Sequence, residues 1–227
     1  RLIGVNFDSK AETRRMRFNA IVSRLSQHKD AKPDDREVAT MQDLVKHKFP
    51  PADYVVGLWE LEGEVLPKDT TGGLSKIQYA TEKNYGPALF FTGNSMMQGE
   101  LFPKDVSKGL SLLRDAAVLG SGQAQFALGD KYERGEGVDR DIERAKRYFR
   151  LCAATGTPEC QFRLGKLLIA APQHGDQDWL QAIAWLQLAG DHGLAAAKTL
   201  GEPETTKLTP QQAQWVARLK AQLEHHP

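Results

Sequence analysis

The sequence predicts an all-α protein built from about four consecutive helical hairpins of roughly 36 residues, and three interlocked series of residues predict it. Gly57, Gly93, Gly129 and Gly165 stand 36 residues apart. Gly63, Gly99 and Gly135 each follow the first series by 6 and mark a helix end, because glycine takes the left-handed cap conformation without steric cost. Asp69, Asp105 and Asp141, preceded by Lys68, Lys104 and Arg140, place an N-capping carboxylate ahead of each following helix. One glycine inside a first helix, one at its end and one cap before a second helix define a hairpin, helix A then helix B.

The chain opens on Arg1 with no apolar h-region, the pattern expected of a processed or shortened chain. Residues 11–28 and 36–48 are predicted helical, separated by Lys32-Pro33-Asp34-Asp35. They show no glycine register, so residues 1–50 are assigned to an N-terminal helical cap. The repeats occupy residues 51–201. Small residues recur at close helix contacts: Ala52, Ala88, Ala124 and Cys160 in helix A, and Ala80, Ala116, Cys152 and Ala189 in helix B. Large residues recur as expected core knobs, Tyr54, Phe90, Phe126 and Phe162 in helix A and Ile77, Leu113, Phe149 and Leu186 in helix B. In the fourth copy Ala171 breaks the helix-end glycine series. A one-residue insertion near Gln173 to Trp179 lengthens that copy to 37, with its helix B aligned by Ala182, Trp185, Ala189 and Gly193. Ala197 to Gly201 restart a helix A. Residues 202–227 then form a C-terminal capping helix, with Thr209 as N-cap, Pro210 at the first position, and Ala213, Val216, Ala217 and Leu223 as a lid over the last repeat. Leu223-Glu224-His225-His226 resembles the start of a purification tag, from which Pro227 departs, so both histidines are left out of the chemistry.

Composition narrows the function. The 227 residues carry 30 Lys and Arg against 29 Asp and Glu, a formal charge of +1, so no global basic field draws the chain to nucleic acid or to an anionic membrane. No apolar run approaches the roughly 20 residues of a membrane span. His28, His47, His174 and His192 lack the spacing of a zinc helix, and Gly135-Glu136-Gly137 has no preceding strand to make a phosphate loop. The carboxylates in register are caps, and Asp34-Asp35 lie in a predicted turn. The expectation is a chain with no catalytic residue, metal site or cofactor. Cys152 and Cys160 stand 8 apart across the turn between the third and fourth repeats, each replacing a recurring alanine. Two readings fit them: two small buried hydrophobes, or a disulfide within one tight helix crossing.

The unit running from Gly122-Gln-Ala-Gln-Phe-Ala-Leu-Gly129 through Arg134-Gly-Glu-Gly-Val-Asp-Arg-Asp141 to Ala145, Tyr148, Cys152, Ala153 and Gly156 resembles the Sel-one-like repeat (SLR), the 36-residue relative of the tetratricopeptide repeat. The resemblance covers roughly residues 50–201. Its first copy, with Glu64-Val65 and Gly73 where the family prefers Gly-Val and Ala, is degenerate, as terminal copies often are. The resemblance implies a right-handed α-solenoid with a concave face lined by helix A, which in such folds holds a protein or an extended peptide. A cysteine-rich branch of the family bridges cysteines at the same spacing, which implies a Cys152–Cys160 disulfide and an oxidising compartment such as the bacterial periplasm.

By analogy with tetratricopeptide geometry, the partner-binding positions lie one and four residues after each helix A glycine: Leu58 and Leu61, Asn94 and Met97, Asp130 and Glu133, Lys166 and Ile169, with Arg134 joining the charged stretch. They differ in every copy, as a partner-specific surface or ordinary surface drift would. The expected function is a non-enzymatic scaffold in a bacterial envelope, acting as an immunity protein that inhibits a secreted antibacterial effector. The alternatives are a regulator or scaffold in envelope signalling, secretion or cell-wall assembly and, from another class, a β-lactam-binding or hydrolysing enzyme.

Overall fold

The 36-residue period is carried by backbone hydrogen bonds as well as by residue types. The computed structural model describes residues 9–27, 31–170 and 176–225, and among them are twelve helices and no strand. Ala171, Gln173 and the predicted histidines 28 and 174 lie outside the described residues. The chain divides into two compact units, Arg1–Leu112 and Leu113–Pro227.

The first unit contains α1 (Ser9–Gln27), α2 (Asp35–Lys46), α3 (Pro50–Glu62), α4 (Thr70–Glu82), α5 (Gly86–Gln98) and the start of α6 (Val106–Val118). Asp34 caps α2 through a reciprocal pair of bonds, its side chain accepting from Glu37 N at 2.8 Å while Glu37 Oε2 accepts from Asp34 N at 2.9 Å. Glu37 also pairs with Arg24, which fastens α1 to α2. Phe18, Ile21, Met41 and Leu44 close over Ala52, Val56 and Trp59 of α3, so the N-terminal helices share a core with the first repeat.

The second unit contains the rest of α6, then α7 (Gly122–Arg134), α8 (Ile142–Ala153), α9 (Pro158–Ile169), α10 (Asp176–Asp191), α11 (Ala195–Thr205) and α12 (Pro210–His225). Thr209 caps α12, accepting from Gln212 N at 3.3 Å. The lid packs differently from the expectation. Val216, Leu219 and Leu223 pack towards Leu180, Ile183 and Ala184, whereas Ala213 and Ala217 face solvent. The spacing 216, 219, 223 is one helical stripe, and the two alanines fall on its far side.

In both units the A–B hairpin is made the same way. Gly63, Gly99 and Gly135 end their helices in the left-handed conformation at φ 77°, 78° and 76°. The chain then returns so that the backbone N–H of Asp69, Asp105 and Asp141 donates to Glu60, Met96 and Tyr132 O, each at 2.9 Å. The same three carboxylates cap helix B by accepting from Gly72, Lys108 and Arg144 N. The B-to-A turns form a further series at Lys48, Asn84, Gly120, Gly156 and Gly193, all with positive φ. The N–H of each donates to the carbonyl three residues back, that of Val45, Thr81, Ala117, Ala153 or Gly190. This fourth series begins at Lys48, at the end of α2, so the repeat turn already operates where the sequence shows no glycine.

The interior glycines sit at the helix crossings. A Cβ on Gly57 would lie 2.8 Å from both Gly73 O and Ile77 Cγ1, on Gly109 2.7 Å from Gly93 O, on Gly129 2.7 Å from Phe149 Cε1 and on Gly165 2.8 Å from Leu186 Cγ. Ile77, Leu113, Phe149 and Leu186 are fully buried, as are the eight small residues of the two flanking series. The helix A aromatics require a correction: Tyr54, Phe90, Phe126 and Phe162 are only half-buried. The helix A core positions lie two residues later, at Val56, Thr92, Leu128 and Leu164, about 200° further round the helix, and the ring that meets Gly129 comes instead from helix B, Phe149. The helix A rings lie along the margin of the crossing, Tyr54 edge-on to Tyr85 at 5.7 Å and Phe126 edge-on to Phe149 at 5.7 Å.

Gly129→Ala should therefore lower stability by about 1–3 kcal/mol, because the added methyl meets the buried Phe149 ring. Gly86, whose Cβ would meet nothing within 4 Å, serves as the control: Gly86→Ala should be neutral or stabilise by up to about 1 kcal/mol. Urea unfolding of both variants checks this, and equal losses would mean that the crossing does not set the cost.

Candidate functional site

The partner-binding positions predicted from the sequence are not equally available. In the first unit Leu58, Leu61 and Asn94 are half-buried, and Leu61 lies over the Gly73 backbone. Met97 is only 8% exposed, with its side chain against Gly109, so it presents little surface to a partner. In this unit the residues four after the glycine, Leu61 and Met97, therefore cover the A–B crossing of their own repeat.

In the second unit the predicted charges form a network around an arginine that the sequence reading did not select. Arg163, on α9, donates through Nη2 to Asp130 Oδ1 at 2.7 Å and to Glu133 Oε2 at 2.5 Å, both on α7. Its guanidinium carbon also lies 5.0 Å from the Phe149 ring centroid and 5.6 Å from that of Phe126. Burial opposes its charge, but the bonds to Glu133 and Asp130 outweigh it and hold the guanidinium pKa above its ordinary value. Arg134 reaches Asp130 at 3.2 Å and Glu136 at 3.6 Å, Lys166 is exposed, and Ile169 is half-buried. Adjacent A helices thus present a continuous strip of Glu133, Asp130, Arg163, Arg134 and Lys166. A signal for Arg163 was in the sequence: its equivalents are Val55, Phe91 and Ala127, so it is the one charge at that position.

A second cluster joins α6, α7 and α8. The Tyr132 hydroxyl accepts from Arg114 Nη2 at 3.0 Å and from Arg144 Nη1 at 3.5 Å, and its ring stacks on Tyr148 at 5.8 Å and 6°. Burial raises the phenol pKa, but hydrogen bonds from the two arginines bring it below the ordinary value.

Inside the repeats one helix A position carries polar groups into the core. The Gln125 and Gln161 amides donate to the Ala117 and Ala153 carbonyls at 3.1 and 3.4 Å, each eight residues back. The equivalent residue in the first repeat is Asp53, 4% exposed, with Oδ2 unpartnered. Burial pushes its pKa up to about 6, against the pull of Lys48 and Lys76. Cys152 and Cys160, both fully buried, form a disulfide with a Cα–Cα separation of 5.7 Å, joining α8 to α9. Among the described residues no three His, Cys, Asp or Glu side chains are placed to hold a metal ion, and no helix is long and apolar enough to cross a membrane.

Comparison with known proteins bears on the repeat. A family model described as the Sel1 repeat matches residues 86–121, 122–154 and 158–194. The copy before residue 86 lies outside the match, although its glycine crossing and Asp69 cap are those of the others. No curated protein matches the chain significantly. Among solved structures, a protective antigen of uropathogenic Escherichia coli with an SLR fold superposes at TM-score 0.70 and 19% identity, over 94% of this chain and 47% of that one. A Sel1 repeat protein from Oxalobacter formigenes superposes at TM-score 0.69 and 24% identity, over 76% of this chain and 50% of that one. The chain thus spans about half the length of these two. An immunity protein from Pseudomonas aeruginosa superposes at TM-score 0.52 and 17% identity, over 95% of this chain and 83% of that one. At these identities the likeness shows the fold.

Two predictions follow from the buried groups. Because the folded-state pKa of Asp53 lies above its unfolded value of 3.8, the native state holds its proton more tightly, and stability falls as pH rises from about 4 to about 6. Asp53→Asn removes this cost, so the variant should exceed the parent by about 1–3 kcal/mol above pH 6, with the difference vanishing below pH 4. Urea unfolding across that range checks it, and a gain independent of pH would exclude the carboxylate as its source. For the disulfide, thiol titration of unreduced, denatured protein from its native compartment should find no free thiol. Cys152→Ala should cost at most about 2–3 kcal/mol, as expected for so short a loop.

Proposed function

From a Sel1-repeat chain, a scaffold of the kind that binds other proteins, we propose an immunity protein that binds and inhibits a secreted antibacterial effector in a bacterial envelope. The observation that carries this is the contrast between interior and surface. The glycine crossings recur in each repeat, whereas the helix A side chains beside them change from the half-buried Leu58 and Asn94 to the half-buried charges of Asp130, Glu133 and Arg163 and the exposed Lys166. A fixed scaffold with a copy-specific surface suits one dedicated partner. The resemblance in fold to an immunity protein supports the same reading, and the disulfide supports an oxidising compartment outside the cytoplasm.

In this reading the partner lies along the helix A face, where Lys166 and Arg134 are the exposed charges and the Asp130–Arg163–Glu133 group holds the strip's geometry. Lys166→Glu should slow association with the effector by roughly tenfold at low salt and less at high salt, because a rim charge acts mainly on encounter. Arg147→Glu, an exposed substitution on helix B, should leave it unchanged. In the native bacterium, a strain lacking the gene should be poisoned by its parent on contact and rescued by the wild-type gene. A deletion strain that competes equally, but shows an altered envelope-stress or secretion phenotype, would replace the immunity role with the regulatory one.

A further inference from the structure

The second unit uses arginine in two opposite ways. Around Arg163 a single guanidinium is met by two carboxylates. Around Tyr132 two guanidiniums converge on one neutral phenol oxygen, and among the described residues Arg114 has no carboxylate partner. Arg144 pairs through Nε with Asp141 Oδ2 at 3.1 Å, while Asp141 Oδ1 is occupied in capping α8. Asp139 and Glu143 line the same cleft, and Glu143 is held by Lys146 at 2.9 Å. The cleft itself is therefore electrically mixed. At its floor, however, two like charges share an oxygen that cannot neutralise them.

We infer that the Arg114–Tyr132–Arg144 cluster is a docking site for a carboxylate carried on an acidic side chain of a protein partner. The geometry is suited to it. Each guanidinium presents a planar fork of N–H donors, and among the described residues one donor of Arg114 and two of Arg144 are engaged. The phenol that aligns them is fixed by its stack on Tyr148, and Arg144 lies 5.5 Å over the Tyr132 ring. A carboxylate between the forks would replace shared repulsion with charge-assisted hydrogen bonds, on side chains already held in place. The site stands on this geometry. Only the identity of the carrier rests on the protein-binding function proposed above.

The test uses the intact chain and two probes, glutarate and the blocked peptide acetyl-Ala-Glu-Ala-amide, with ionic strength held constant by sodium chloride. The Tyr132 ring signals, assigned by Tyr132→Phe, are followed by NMR at pH 7. Both probes should give a saturable shift in the millimolar range, weakened about tenfold or more in Arg114→Gln and Arg144→Gln and unchanged in Arg147→Gln. Arg114→Lys, which keeps the charge without the fork, should recover only part of the binding. Absence of a saturable shift, or equal shifts in wild type and both glutamine variants, would overturn the site. Glutarate binding far more tightly than the peptide would instead mark a small-molecule dicarboxylate site and overturn the assignment to a protein partner. Because neither probe requires the effector, a positive result would stand even if the immunity role failed.

Discussion

The close approach of helix A to helix B at the interior glycines is the constraint on which the repeats depend. Glycine inside a helix costs about 1 kcal/mol relative to alanine, so a glycine at every crossing needs a packing reason. The reason is the 2.7–2.8 Å that a Cβ would leave to a neighbouring backbone oxygen or a buried side chain. With the backbones this near, Ile77, Leu113, Phe149 and Leu186 are completely enclosed, and each such side chain contributes roughly 1.5–3 kcal/mol. The aromatic residues of helix A are set at the margin, a displacement of two positions from the buried stripe at Val56, Thr92, Leu128 and Leu164. That displacement leaves half-exposed rings along a surface otherwise free to vary.

How much of this the sequence disclosed depends on whether a conformation demands one residue type. The left-handed ends at Gly63, Gly99 and Gly135 and the caps at Asp69, Asp105 and Asp141 were legible because few residues satisfy those roles. The B-to-A turns were not, since Lys48 and Asn84 hold the positive φ that Gly120, Gly156 and Gly193 hold in later copies. Asn84 accepts that conformation more readily than most residues, whereas at Lys48 the turn's hydrogen bonds impose it on a residue that does not prefer it. The N–H of Lys48 reaches Val45 O at 2.9 Å, and that of Phe49 reaches Leu44 O at 3.1 Å. A search for glycines therefore misses the first two turns of this series.

The site was less legible than the fold for a related reason. Asp130, Glu133, Arg134 and Lys166 could be placed on a helix A face by combining the period with the analogy to tetratricopeptide geometry, but Arg163, which binds two of them, stands at a position otherwise filled by Val55, Phe91 and Ala127. Residues that recur report the scaffold, and a residue that departs from its equivalents reports local chemistry. Asp53 follows the same rule. It occupies the position where Gln125 and Gln161 donate to a carbonyl, and an ionised carboxylate has no proton to donate, so its chemistry could be read only once the neighbours of that position were known.

The features that could hold a partner rigidly are concentrated in the second unit. Tyr132, Phe149, Cys152 and Cys160 belong to one buried cluster, with Phe126 and Tyr148 packed against it. Arg163 rests on two of those rings and Arg144 on a third. The disulfide ties α8 to α9 beneath the Arg163 strip, while the Tyr132–Tyr148 stack ties α7 to α8 beneath the Arg114 and Arg144 forks. Charged side chains on a mobile surface lose much conformational freedom when they are ordered, whereas these are already held by aromatic rings and hydrogen bonds on helices tied together by the disulfide. The same contacts that close the core of this unit therefore also hold its two arginine clusters, so a substitution in that core, such as one at Phe149, would reach the surface chemistry through geometry as well as through stability.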